Sequence, residues 1–241
     1  MTVADLPAIA TLIGDRTRAA MLDALVEGDL PASELARRAG VSASTASAHL
    51  SKLVEGGIVA VERRGRQRRY RLAGAAVAAA IEALAAIAPR RQVSSLREAT
   101  TGELLREART CYDHLAGKLG VELTSALTRR RILRADGDSY FLTERGERAL
   151  RGLGIDVDDL RRQRRAFAKP CLDWSERRHH VAGALGAALA RRLFELGWLE
   201  RAGSGRAVVL TAAGREGLRD LLGEHLGVPS AGVADQPVAR R

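Results

Sequence analysis

Cysteine is nearly absent from this sequence: Cys111 and Cys171 are the two in 241 residues. That scarcity excludes a disulfide-dense secreted scaffold. Aromatic residues make up 3%, which excludes a sheet-rich fold, because strands draw on aromatic and β-branched side chains. Long apolar runs are missing too. The longest, Leu72 to Ala88, is mostly alanine and carries Glu82, short of the ~20 strongly apolar residues that span a bilayer. The start, Met1-Thr2-Val3-Ala4-Asp5, lacks the basic region of a secretory leader, so a cytoplasmic location without a membrane partner is expected. Positive charge is what abounds. Lys+Arg number 39 against 29 Asp+Glu, a formal net charge of +10, in a chain that is 46% hydrophobic. Such a chain buries a core and favours a polyanionic partner, nucleic acid ahead of a membrane surface.

Helical periodicity dominates. Leu6, Ile9, Leu12 and Ile13 mark one helix face, and Met21, Leu22, Leu25 and Val26 the next, which stops near Gly28. Strands are expected only at Val59–Val61, Tyr70–Leu72, Tyr140–Leu142 and Val208–Leu210. An alanine-rich helix from Ala73 to Ala88 ends at Pro89, and Arg90 to Ala99 reads as a connector. The expected fold is mainly α with small β-hairpin wings. It comprises a first domain over 1–90, a second over 101–226 and a mobile tail over 227–241.

The most informative segment is Leu30 to Leu72. A short helix over Ser33–Ala39 turns inward Leu35, Ala36 and Ala39, and Gly40-Val41-Ser42 forms a tight turn. Ser42 caps a second helix, Ala43 to Val54, with Ala46, Leu50, Leu53 and Val54 on its core side. The other side carries Ser44, Thr45, Ser47, Ala48, His49 and Lys52. Their short hydrogen-bonding side chains let a helix lie deep in a major groove. A solvated helix face would look similar, and the next segment decides between them. Arg63, Arg64, Arg66, Arg68, Arg69 and Arg71 turn at Gly65, and residues 63–71 contain no acidic side chain. A solvated charge run normally mixes signs; this one suits phosphate and minor-groove contact.

These residues carry a family resemblance. Asp15-Arg16-Thr17-Arg18-Ala19-Ala20-Met21-Leu22, the turn, His49-Leu50-Ser51-Lys52-Leu53, Gly57-Ile58-Val59 and the Gly65…Tyr70-Arg71-Leu72 wing together resemble the ArsR/SmtB winged-helix repressors over about residues 5–90. The resemblance implies a transcriptional regulator: a homodimer on a double-stranded operator, released when it senses a ligand, needing no cofactor to bind DNA. The dimer helices would be Leu6–Ile13 and Gly74–Ala88. The family's metal positions are not filled here, since Ala32 to Ala39 has no cysteine and Gly74 to Ala88 offers only Glu82. Sensing is therefore expected in the extension.

That extension contains an internal repeat, 101–160 and 167–226. His114 through Gly120 aligns with His180 through Gly186 at an offset of 66, and Leu142-Thr143 with Leu210-Thr211 at 68. Each copy is expected to be a long helix, a hairpin, and a second helix capped by Thr143 or Thr211. The units are not expected to read DNA. Paired glycines, Gly117 with Gly120 and Gly183 with Gly186, imply either a close helix crossing or helices broken at Gly120 and Gly186. Cys111 and His114, three apart on the expected helix, would share a face. With Cys171, Trp174 and His180 they form the candidate sensing region for a small molecule, metal or oxidant. Three readings of the cysteines stay open: core packing, a thiol activated by Arg106, Arg109 and Lys169, or a zinc or metalloid site of Cys111, His114, Cys171 and His180. No enzyme is expected, because Cys111, Asp113 and His114 on one helix would not face one another and no phosphate loop or catalytic carboxylate pair stands out.

Overall fold

The computed structural model describes residues 4–65, 67–89, 95–203, 205–223 and 226–227, with backbone alone for 96–98. Arg66, residues 90–94 of the expected connector and 228–241 of the expected tail lie outside the described residues. The chain forms two compact units, Met1–Ile81 and Glu82–Arg241.

In the first unit, α1 (Leu6–Ile13) and α2 (Arg16–Leu25) are capped by Asp5 and Asp15, whose carboxylates accept from the Ala8 and Arg18 amides. After β1 (Leu30–Pro31), α3 (Ala32–Ala39) ends at Gly40, left-handed at φ 66°. Ser42 then caps α4 (Ala43–Glu55), its Oγ accepting from the Thr45 amide at 3.2 Å. β2 (Val59–Arg64) and β3 (Gln67–Leu72) form the wing, and β1 adds to β3 in an antiparallel sheet of order β1-β3-β2. Met21, Leu25, Leu35, Leu50, Leu53 and Leu72 are fully buried beneath it. This is the expected winged helix-turn-helix, with β1 as an added third strand. One strand of two residues gave no periodicity to read.

The boundary between units falls inside α5 (Ala75–Ile87), ahead of the expected connector. Glu82 explains its position: it is buried, its Oε1 accepting from Arg206 Nη1 at 2.6 Å. The connector is shorter than read, since α6 already begins at Leu96 and runs to Glu107.

The second unit continues with hairpin β4 (Arg109–Cys111) and β5 (His114–Ala116), α7 (Gly117–Arg129), hairpin β6 (Leu133–Asp136) and β7 (Ser139–Leu142), then α8 (Glu144–Gly152) and α9 (Val157–Arg162). Hairpin β8 (Lys169–Leu172) and β9 (His179–Ala182), α10 (Gly183–Glu195), hairpin β10 (Leu199–Arg201) and β11 (Val208–Leu210), and α11 (Ala212–Leu222) complete it. Leu119, Leu123 and Leu127 share one buried core with Leu185, Leu189 and Leu193. Among the described residues no helix is long and apolar enough to cross a membrane.

Two expectations need correction. Cys111 and His114 do not share a helix, and Leu115 and Val181 do not belong to the long helices: Cys111 lies on β4, His114 and Leu115 on β5 and Val181 on β9, and the helices begin at Gly117 and Gly183, at φ 77° and 86°. Only glycine adopts that region at little cost. Nor do Gly120 and Gly186 break the helices or mark a crossing of one on the other. A Cβ on Gly120 would lie 2.6 Å from the Leu115 carbonyl and 3.7 Å from His180 Cβ; on Gly186, 2.4 Å from the Val181 carbonyl and 3.2 Å from His114 Cβ. The glycines make room first for the Leu115 and Val181 carbonyls of the preceding strands, and then for the histidine Cβ atoms of the other copy's hairpin.

The second hairpins dock in matched ways. Thr143 Oγ1 accepts from the Gly146 amide and donates to the Arg131 carbonyl; Thr211 Oγ1 accepts from Gly214 and donates to Gly197. Gly197 has φ 66°, and its counterpart Arg131, exposed, is held at φ 54°. Replacing Arg131 by glycine is expected to raise stability by about 1 kcal/mol. Urea unfolding checks this; a lower midpoint would mean that the arginine side chain does something the backbone strain conceals.

Candidate functional site

The exposed side of α4 presents Ser44, Thr45, Ser47 and Lys52, while Ala46, Leu50 and Leu53 are buried behind it. His49 is placed differently from its expected role. It is half-buried, with Nδ1 3.5 Å from Asp15 and 3.4 Å from Arg18. Arg18 itself is buried and binds the Leu12 and Thr11 carbonyls at 2.6 and 2.7 Å, closing the end of α1. His49 therefore belongs to the joint that holds α1, α2 and α4 together.

The wing arginines divide into two groups. Arg69 donates to the Asp29 carboxylate at 2.8 Å and to its carbonyl at 2.5 Å, and Arg71 donates to Glu62 at 2.9 Å. The hydrogen bond from Arg69 is the main reason that the Asp29 carboxyl is held below its ordinary pKa. Arg64, exposed, lies 3.5 Å from Asp29 and 3.9 Å from Glu62. Arg63 and Arg68 sit opposite one another across the β2–β3 ladder, exposed, and among the described residues no carboxylate lies within 4 Å of either. The run, which contains no acidic residue itself, thus meets Asp29 and Glu62 in space, and among its described residues Arg63 and Arg68 are left without a carboxylate partner.

In the second unit Cys111 faces His114 across β4–β5, and Cys171 faces His180 across β8–β9. The pairs meet: the two Sγ atoms are 4.0 Å apart, the two Nε2 atoms 3.1 Å, and all four donors lie within 4.8 Å of one another. Cys111, His114 and His180 are buried, and Cys171 is partly exposed. Cys111 and His114 do share a face, but of a hairpin rather than a helix. His114 Nδ1 contacts Asp113 at 3.2 Å, and Arg165 holds that carboxylate at 2.6 Å. His180 Nδ1 lies 3.4 Å from Asp173. Asp173 is buried and accepts from Arg109 Nη2, the Gly117 amide, and both the amide and hydroxyl of Ser175. Trp174 lies against the Arg109 guanidinium, 4.6 Å from its ring centroid.

The thiols are not equivalent. The hydrogen bond with Cys171, and then burial, push the Cys111 thiol far up; Arg109 opposes this only weakly. Cys171 is pulled down by the same hydrogen bond and by those of His114 and His180, against its burial. Of the two thiols Cys171 is the one favoured as thiolate, first by its hydrogen bond with Cys111 and then by the His114 and His180 imidazoles. Burial disfavours the His114 imidazolium, yet Asp113 and Cys171 outweigh it and raise its pKa.

A family model described as a helix-turn-helix domain matches residues 13–62. YdfF of Bacillus subtilis (strain 168), an uncharacterized HTH-type transcriptional regulator, is 44% identical over 208 residues, covering 86% of this chain and 92% of that protein. The chain belongs to the HTH-type transcriptional regulators. Solved structures similar to this regulator include the transcriptional repressor BigR from Xylella fastidiosa, at 30% identity over 36% of this chain and 88% of that one, with a TM-score of 0.33. The cadmium metal-sensor CMTR from Mycobacterium tuberculosis is similar at 32% identity over 37% and 94%, with a TM-score of 0.32. In this regulator sequence reasoning passed over Arg18, Asp29, Arg165 and the joint role of Arg109 and Asp173. Each acts across 30 or more residues, or on backbone carbonyls, and no local pattern marks such partners.

Proposed function

We infer that this regulator is an ArsR-type repressor that binds an imperfect palindrome as a homodimer, and that a signal received by its second unit releases it. The observation that carries the reading is the pairing of a polar, groove-sized α4 face with a wing on which, among the described residues, Arg63 and Arg68 are exposed and without a carboxylate partner. Dimer formation is supported by apolar side chains left exposed on the helices where the ArsR resemblance puts the interface: Leu6 and Ile9 on α1, Leu84 and Ile87 on α5. Two recognition helices in successive major grooves would stand ~34 Å apart.

Residues 101–160 and 167–226 are read as a duplication, supported by the matched threonine caps and by the helix-opening Gly117 and Gly183. Each copy contributes one cysteine and one histidine to the same cluster, which makes Cys111, His114, Cys171 and His180 the favoured signal site, with Trp174 beside it. An enzymatic role for Cys111 is disfavoured. Asp113 does reach His114, but the Cys111 thiol is pushed up and is no ready nucleophile. A useful release of ~100-fold requires about 2.7 kcal/mol of preference for the non-binding state.

The test is operator affinity at near-physiological salt. The protein should prefer its own promoter region over random DNA, and Thr45→Ala or Ser47→Ala should change which bases are preferred. Absence of any preference ends the repressor reading. If Cys111→Ala, Cys171→Ala and His180→Ala all respond to metal and oxidant as the parent does, the sensing half fails alone.

A further inference from the structure

We propose that Cys111, His114, Cys171 and His180 form a closed four-ligand site for one divalent, thiophilic transition-metal ion of the zinc class. Distances come first. A tetrahedral ion with bonds of about 2.3 Å to sulfur and about 2.0–2.1 Å to nitrogen separates its two sulfurs by roughly 3.8 Å and its two nitrogens by roughly 3.3 Å. The observed separations are 4.0 Å for Sγ–Sγ and 3.1 Å for Nε2–Nε2. Two hairpins distant in sequence have brought four donors within 4.8 Å of one another, with the sulfur pair and the nitrogen pair each at the spacing of two corners of one coordination tetrahedron.

Lone pairs give the second argument. The Nδ1 hydrogen bond to Asp113 makes neutral His114 an acceptor at Nε2. If His180 puts its proton on Nε2 to satisfy that contact, its bare Nδ1 faces the Asp173 carboxylate at 3.4 Å. If the proton sits on Nδ1 instead, two bare Nε2 atoms face each other at 3.1 Å. His180 is fully buried, and its Nδ1 has no well-aligned hydrogen-bond partner. Either neutral tautomer leaves a repulsive contact inside the protein. A cation between the donors removes it, either a proton between the two Nε2 atoms or a metal ion, and only the metal ion also engages both sulfurs.

The surroundings fit a metal as well. A carboxylate stands behind each imidazole, Asp113 bonded to His114 Nδ1 at 3.2 Å and Asp173 3.4 Å from His180 Nδ1, an arrangement typical of metal-ligating histidine. Arg165 and Arg109 in turn hold Asp113 and Asp173. Thiolate and imidazole together select zinc-class ions over magnesium or calcium. Charge balances: two thiolates neutralise one divalent ion, so the buried centre carries no net charge. Protons balance too. Starting from two thiols and two neutral imidazoles, or from a Cys171 thiolate beside one imidazolium, binding displaces two protons to solvent. Four protein ligands leave no position for water or substrate, so the ion would fasten β4–β5 to β8–β9 rather than catalyse. This inference concerns what the cluster holds; it stands on the geometry and does not require the repressor reading.

Cobalt(II) titration of the reduced, full-length protein tests it. One equivalent should give the intense visible bands of tetrahedral cobalt with thiolate-to-cobalt charge transfer, and one equivalent of zinc should abolish them. Two protons should appear per ion in weak buffer. Cys171→Ser should lose about half the charge-transfer intensity, and Asp173→Asn should bind about 10- to 100-fold more weakly. Pale octahedral cobalt in the parent overturns the proposal, whatever the variants do. So does a Cys111–Cys171 disulfide that forms under mild oxidant at the same rate with and without prior zinc. A Cys171→Ser spectrum identical to the parent's would do the same.

Discussion

Asp173→Ala is expected to lower the stability of the second unit by about 3–5 kcal/mol, the cost of leaving a buried charge without its partner. Arg109 is the charge in question, with no solvent exposure at all. Asp173 Oδ2 accepts from its Nη2 at 3.0 Å and from the Gly117 amide at 2.7 Å, while Oδ1 holds Ser175 and Glu176. The remaining carboxylate near Arg109, Glu82, is 3.8 Å away and already engaged by Arg206. Asp173→Asn should also destabilise, because its amide nitrogen would have to replace one oxygen or the other and face donors there. Urea unfolding in the presence of a chelator separates this effect from metal binding. A midpoint for Asp173→Ala equal to that of the parent would mean that Arg109 finds water or another anion, and that the pair is not what holds α7 to the β8–β9 loop.

How much of this was legible in the sequence depended on how local the cause is. The turn between α3 and α4 is fixed by Gly40 and Ser42, neighbours in the chain, and the buried face of α4 by Ala46, Leu50 and Leu53 at helical spacing. Those features need no tertiary information. The β4–β5 hairpin was hidden for the opposite reason. Its turn, Tyr112-Asp113, contains no glycine or asparagine, and Tyr112 itself takes φ 58°. Leu115 also stands four residues before Leu119, so one leucine stripe runs straight through the strand-to-helix junction. Gly117 and Gly183, matched in the two copies, were the available signal for that junction. The metal-sized cluster was half legible. The offset of 66 pairs His114 with His180, but Cys111 and Cys171 are 60 apart, because six more residues separate Cys171 from His180 than Cys111 from His114. Only the folded hairpins bring the cysteines together.

Replacing Arg63 and Arg68 together by alanine is expected to weaken binding to every DNA sequence, by roughly a hundred- to thousandfold for a dimer that loses four solvent-exposed ionic contacts of about 0.7–1 kcal/mol each. The salt dependence carries the sharper signature. Each lost phosphate contact removes about 0.9 from the slope of log affinity against log salt, so the double variant should flatten it by up to about 3.6. Sequence preference should survive, since phosphates position a protein and base edges specify its site. Arg69→Ala is the informative contrast. Its guanidinium is committed to Asp29, joining β3 to the turn before β1. Its loss should lower stability and loosen the wing while changing the salt slope by less than one. In sequence the wing arginines form one undivided run; the Asp29 and Glu62 carboxylates separate those that build the wing from those left to meet a polyanion. Equal salt slopes for parent and double variant would move the phosphate contacts off Arg63 and Arg68, onto α4 and its Lys52.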